Sequence, residues 1–195
     1  MTETLSYRVI DSSDSIELRE YAPHIVAELS VEAAGVRQAA EKGFRPLANY
    51  IFGNNLPREK IAMTTPVTAS AEGEGERIAM TAPVTSTGVA DGRYRVRFSM
   101  PAEYTMQTLP KPANPDVHLV EVEAQLVLAA TFRGRDDHKR VAAGAQRLLD
   151  RATELDMKIV GQPTWAGYSA PYVPVPLRKW EMLVTVSPDD IPTTG

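Results

Sequence analysis

Cysteine is absent from this chain of 195 residues. Without thiols there can be no disulfide framework, no thiolate nucleophile, no iron–sulfur cluster and no prosthetic group held by thiolate or attached through a cysteine motif. Zinc would have to be held by His, Asp and Glu alone. Histidine is scarce too, with three residues. His24 stands beside Pro23, His118 opens an apolar stretch, and His138 lies in DDHKR; none has a spacing typical of a metal site. Positive charge is not in excess: 21 Lys and Arg against 25 Asp and Glu leave a net charge of −4. Nucleic acid is therefore not an expected partner, since its backbone calls for a basic patch. Long apolar runs are missing as well. Stretches such as Leu126 to Ala130 are far too short to span a bilayer. The opening MTETLSYRVIDSSD has no basic region followed by an apolar core, so the expected location is cytoplasmic.

What remains is an ordinary globular composition, 43% apolar and 24% charged. The length suits one domain over 1–195, with an ordered core of about 6–188 and enough chain to bury a core without staples. Period-two alternation in IELREYA and in IVAELSVE, where Ile25, Ala27, Leu29 and Val31 share a face, predicts half-buried antiparallel strands. Val36, Ala40, Phe44, Leu47 and Ile51 recur at helical spacing and predict a helix from about Ala33 to Phe52, stopped at Gly53. Pro46 inside it should kink or restart the helix, because proline removes a donor and crowds the preceding turn. A second helix is predicted over about Asp136 to Met157, with Val141, Ala145, Leu148, Ala152 and Leu155 as its stripe and two aspartates at its positive end. YRVRFSM, HLVEVEAQLVLAATFRG and the segments around Lys158 to Tyr168 and Lys179 to Ser187 read as further strands.

Two segments are near copies: EKIAMTTPVT at Glu59 to Thr68 and ERIAMTAPVT at Glu76 to Thr85, identical at eight of ten positions. The polar ASAEGEG between them reads as a hairpin loop. Pro66 and Pro83 hold the same place in each copy and should lie at an edge, a bulge or a strand end. A larger regularity sets REYAPHIVAELSVE before the first helix against VEVEAQLVLAATFRG before the second. It predicts an α+β fold of two pseudo-symmetric halves, packed into one sheet or a distorted antiparallel β-barrel and flanked by two α-helices, with a cleft between helix and sheet.

The KIAMTTPV and ERIAMTAPV pair, the FRPLANYIFGNN that leads into it, the opening IELREYAPHIVAEL and the closing YSAPYVPVPLRKWEMLV together resemble the SOUL haem-binding family over about Tyr7 to Ser187. The resemblance implies a twisted barrel of two repeated halves. It also implies non-covalent binding of haem or another tetrapyrrole in a hydrophobic cleft beside the first helix, as carrier, buffer or sensor. Pro46, and Trp180 where a small polar residue is expected before the Glu-Met pair, depart from the family pattern and bear on the shape of the pocket.

A large flat ring needs apolar walls, polar or cationic groups near its propionates, and for iron an axial donor. Phe44, Leu47, Tyr50 and Ile51 on the first helix are the apolar candidates, each readable equally as core. Met63 and Met80, equivalent in the two copies, could pack, face the ring or ligate iron. Arg58, Lys60, Arg178 and Lys179 flank the signature and final strands and could meet carboxylates or simply be solvated. His24, His118 and His138 are weak axial candidates, and Tyr50 or Tyr168 no better. No nucleophile stands with a base at motif spacing. Glu17, Glu121 and Glu123 are the carboxylates an enzyme acting on a tetrapyrrole would use. An effector-binding module for another hydrophobic molecule is the third reading. The expected assembly is a monomer or weak homodimer.

Overall fold

The computed structural model describes residues 3–13, 15–56, 75–169 and 173–187. Nine strands form one antiparallel sheet: β1 (Tyr7–Ser13), β2 (Ile16–Tyr21), β3 (His24–Glu32), β4 (Val84–Ala90), β5 (Arg93–Ser99), β6 (His118–Val122), β7 (Gln125–Arg133), β8 (Thr164–Gly167) and β9 (Lys179–Val186). Their order in the sheet is β6-β3-β5-β4-β8-β9-β7-β2-β1. Helix α1 (Val36–Ile51) follows β3, and α2 (His138–Glu154) follows β7. Among the described residues no helix is long and apolar enough to cross a membrane.

The order has a symmetry. Read inward from β6, the sheet runs β3, β5, β4; read inward from β2, it runs β7, β9, β8; the two series meet at β4 and β8. In each half a strand leads into a helix, and the helix packs on that strand and on the strand beside it. The two-residue links Ala22-Pro23 and Glu123-Ala124 do not make hairpins. Instead β2 and β3 behave as one long bent strand, and β6 and β7 as another. Tyr21 pairs with Gln125 on one side of the bend and His24 with Val122 on the other, in unbroken register. Because β3 and β2 lie near opposite ends of the sheet order, this shared bend brings those ends together and curls the sheet into a half-barrel.

Period-two geometry then sorts the side chains. On the helix side, Ile16, Leu18, Leu126, Leu128, Trp180, Met182 and Val184 pack under α2 with Leu148 and Ala152. Ala27, Leu29, Val96 and Phe98 pack under α1 with Leu47, Tyr50 and Ile51. The other face of the sheet is largely polar, and residues from eight strands, among them Tyr21, His24, Thr85, Arg97, Gln125 and Thr185, converge on a cavity of only about 100 Å³. The hydrophobic core therefore lies between helices and sheet, outside the curl.

Both helices approach the sheet through a glycine. A Cβ on Gly43 would lie 2.7 Å from Val96, and one on Gly144 would lie 2.9 Å from Met182 and Phe132. Helix α1 runs through Pro46 as a single helix, so the proline does not restart it. Helix α2 is capped by Asp137, whose carboxylate accepts from the Arg140 amide at 3.1 Å, as the acidic pair before it predicts.

The first signature copy, its loop and Pro66 lie outside the described residues. The second copy is less regular than its pattern predicts. Only Thr81–Ala82, paired with Glu3–Thr4, and then Val84 onward are strand, with Pro83 at the break where it needs no ladder donor. The stretch before Thr81 is tied to the end of α1 instead. The Ile78 amide donates to Ile51 O at 2.8 Å, while Asn55 bonds the backbone of Tyr50 and Glu76 at 2.8 to 2.9 Å.

Candidate functional site: a cleft beside the first helix

A cleft of about 510 Å³ opens where the two halves meet. Helix α1 supplies Arg37, Ala40, Glu41 and Phe44; the second signature copy supplies Met80 and Thr81; β8 supplies Trp165 and Gly167; β9 begins with Lys179 and Trp180. The position follows from the topology. Strands β4 and β8 are the centre of the sheet order; α1 reaches over β4 and α2 over β9, and the cleft opens between the two helices. Phe44 is half-buried: its ring meets Phe98 edge-on at 5.4 Å while its flank lines the cleft. Trp180 stacks on Phe132 at 4.4 Å, which fixes the indole plane.

The structure divides the predicted site residues. Phe44, Met80, Arg178 and Lys179 line this cleft. Leu47, Tyr50 and Ile51 do not; they are almost fully buried in the core under α1, and the Tyr50 hydroxyl donates to Pro110 O at 2.9 Å. The reason is helical geometry: a stripe broad enough to cover a sheet spends most of its residues on the sheet, and only its margin, at Ala40 and Phe44, reaches the seam. Arg58, Lys60 and Met63 lie outside the described residues. None of the histidines lines this cleft. His138 and His118 are exposed at the starts of α2 and β6. His24 lies at the bend, where Nδ1 is 2.9 Å from Ala22 O, and burial lowers its pKa.

The cations at the mouth are engaged. Arg37 meets Glu41 at 3.2 Å and Asp136 at 3.8 Å. Arg178 Nε donates to Val173 O at 2.8 Å. Lys179 Nζ lies 3.1 Å from Glu181 and 4.4 Å over the Tyr168 ring.

Behind Lys179 lies a buried ionic network that the sequence did not announce. Glu181, fully buried, accepts from Arg19 at 2.8 and 3.1 Å, from Thr131 at 2.9 Å and from the Tyr168 hydroxyl at 2.6 Å. Burial pushes the Glu181 carboxyl up, but the Arg19 and Tyr168 hydrogen bonds and the Arg19 and Lys179 charges overcome it and hold the pKa at about 2. Burial and the Glu181 charge raise the Tyr168 phenol, so it keeps its proton and donates. Glu17, read as a possible acid or base, is ion-paired to Arg19 at 2.7 Å. Glu121 and Glu123 are exposed on a separate groove at the bend, with His24 and Tyr104. The sequence signal for the network was a lone charge between apolar neighbours, as in Trp180-Glu181-Met182. It reads as a solvent-facing position until the sheet curls.

The profile of the SOUL heme-binding protein family matches residues 2–185. The chain belongs to this family. Two curated relatives agree: Heme-binding protein 2 of Homo sapiens is 29% identical over 162 residues, covering 80% of this chain and 71% of that one, and Heme-binding protein 2 of Mus musculus is 26% identical over 162 residues, covering 81% and 72%. The fold of this SOUL protein is shared more widely. The EcmrR C-terminal domain superimposes with a TM-score of 0.60 at 11% identity, covering 93% of this chain and 98% of that one. A hydrolase from Listeria innocua gives 0.59 at 11% identity, covering 91% and 94%. At such identities the likeness is one of architecture alone.

The cleft fits the group that the family name implies. Its volume falls within the range of about 300–1,000 Å³ usual for small-molecule sites, and Phe44, Met80 and Val84 offer apolar and aromatic surface for a flat ring, with the buried Trp165 and Trp180 behind them. Met80 is the one thioether among the described lining residues, and so the side chain there suited to soft coordination of iron.

Proposed function

We propose that this SOUL protein binds haem or a related tetrapyrrole non-covalently in the cleft between α1 and the β4–β8 seam, as carrier, buffer or sensor within a single domain. The observation that carries this reading is the cleft at the centre of a haem-binding family fold, lined by Phe44 and Met80 and backed by the buried Trp165 and Trp180. Phe44 and Met80 meet the macrocycle by apolar contact, backed by Trp165 and the buried Trp180. Bound haem would supply its own iron chemistry. The chain's part is to seat the ring, keep water from one face and offer Met80 as a neighbouring sulfur.

Titration of the purified protein with haemin tests this. The expected result is a saturable shift of the Soret band near one equivalent, weakened by Phe44→Ala and by Met80→Ala. Absence of any saturable shift in the intact protein overturns the reading. Spectral decay of the bound complex with a reductant would move the assignment from carrier to enzyme.

A further inference from the structure

The groove at the bend is a second cavity, of about 480 Å³, inside the range of about 300–1,000 Å³ usual for small-molecule sites. Thr81 is the one described residue that lines both it and the cleft. Its floor is the paired ends of β3 and β6, where Ile25 faces Glu121 across the ladder. On β6, Glu121 shares a face with Leu119, two residues before it. Leu119 and Ile25 both pack against the core under α1, so Glu121 stands where the apolar side of the sheet runs out into the groove. One wall is the loop after β5, which brings the half-buried Tyr104 and Met106. That wall is tied down: the Met100 amide donates to Ile25 O at 2.8 Å, the Tyr104 amide to Pro101 O at 3.2 Å and the Tyr104 hydroxyl to Glu76 at 2.9 Å. Another wall comes from Leu5, whose amide donates to Ala82 O at 2.9 Å. These bonds hold the groove open without a ligand.

The charge of the groove is one-sided. Glu121 and Glu123 line it, and no Lys or Arg is among its described lining residues. Both carboxylates are exposed, and neither makes an ion pair or a side-chain hydrogen bond with a described residue. His24 adds no compensating charge, since burial lowers its pKa and its Nδ1 lies 2.9 Å from Ala22 O. Among the described residues no three His, Asp or Glu side chains gather closely enough to hold a metal ion. The lining therefore suits a positive charge carried on an apolar body. We propose that this groove is a second ligand site, for an aromatic organic cation, with Glu121 and Glu123 meeting its charge, the Tyr104 ring adding a cation–π contact, and Ile25 and Met106 forming an apolar bed. Aromatic rings attract cations through their negative faces, and a thioether adapts its shape to a flat neighbour. This site stands apart from the tetrapyrrole reading and does not depend on it.

Equilibrium dialysis of thioflavin T, a flat aromatic cation, against its uncharged N-demethylated benzothiazole analogue tests the assignment in the intact protein. The wild type is expected to bind the cation roughly tenfold more tightly than the neutral analogue, with the preference shrinking as salt is added. Glu121→Gln and Glu123→Gln should each weaken the cation about threefold, and the double variant should bring it level with the neutral analogue. Both positions are exposed, so these variants keep the fold. Tyr104→Leu should weaken the cation about threefold more than it weakens the neutral analogue. Phe44→Ala, which alters the cleft, should leave both affinities unchanged. The inference is overturned if the double glutamine variant binds thioflavin T as tightly as the wild type, if Phe44→Ala weakens it as much as the glutamine variants do, or if the wild type binds neither compound. Glutamate-dependent binding of a tetralysine peptide without binding of thioflavin T would also overturn it, since the occupant would then be a basic peptide.

Discussion

Replacing Glu181 by leucine puts the buried network to its severest test. The wild-type carboxylate is fully buried and accepts from Arg19, Thr131 and Tyr168, with Lys179 at 3.1 Å. Leucine fills much of the volume and strands the guanidinium of Arg19, whose side chain is 2% exposed and which keeps only Glu17 as an ionic partner. Removing one member of a buried ion pair costs about 3–5 kcal/mol. With a urea dependence of about 2 kcal/mol per molar, the unfolding midpoint should fall by roughly 1.5–2.5 M. Arg19→Met should cost less, because Lys179, Thr131 and Tyr168 still meet the carboxylate. The double variant Arg19→Met/Glu181→Leu should be more stable than the sum of the single effects predicts, by at least about 1 kcal/mol, since neither charge is then left alone. Urea unfolding followed by far-ultraviolet circular dichroism measures all four proteins. If Glu181→Leu moves the midpoint by less than about 0.5 M at the same dependence, or if the two effects simply add, the network is not the coupled pair described here. Should Glu181→Leu fail to fold, Tyr168→Phe isolates one bond to the same carboxylate and should cost about 1.5–3 kcal/mol.

The same carboxylate sets a pH dependence. Its folded-state pKa lies near 2, below the ordinary 4.5, so its contribution is complete above about pH 4.5 and is lost as pH falls through 2; acid titration of the urea midpoint should show this decline in the wild type and less of it in Glu181→Gln. Gly43→Ala and Gly144→Ala each push a methyl group into Val96 or into Met182 and Phe132, and each should cost about 1–3 kcal/mol in thermal or urea unfolding. Leu47→Ala should lower stability by about 2–5 kcal/mol and leave haemin affinity of the folded protein unchanged, whereas Phe44→Ala should weaken haemin binding; equal effects of both on affinity would contradict the division of α1 into core and cleft faces. Replacing His24, His118 and His138 by alanine, singly, should leave the haemin-bound spectrum as it is in the wild type, because none of the three lines the cleft.

Much of the architecture was legible in the chain. Alternation located most strands within a few residues, and helical periodicity located both helices. The stretches before α1 and α2 do each form strands that lead into a helix, and the sheet adds β1 as an edge strand with no counterpart in the other half. The near copy at Glu76 to Thr85 misled in detail, since likeness of sequence carries no information about which backbone groups find ladder partners. The site was half legible. Phe44, Met80, Arg178 and Lys179 could be named from motif and position, but Leu47, Tyr50 and Ile51 had the same credentials and went to the core. Periodicity gives a stripe, and only the packed sheet says which margin of it stays uncovered.

The sequence alone determined the absence of thiol chemistry, the α+β pattern, the family likeness and the apolar helix stripes, because these depend on residue type and near-neighbour spacing. Tertiary structure decided the rest. The shared bend at Ala22-Pro23 and Glu123-Ala124 curls the sheet and sets Arg19 against Glu181, residues far apart in sequence on strands separated by β7. The meeting of the two halves leaves a cleft at the β4–β8 seam and buries the indole nitrogens of Trp165 and Trp180 without hydrogen-bond partners. Hydrogen-bond satisfaction is a property of three-dimensional surroundings, so an orphaned donor cannot be read from a string of residues.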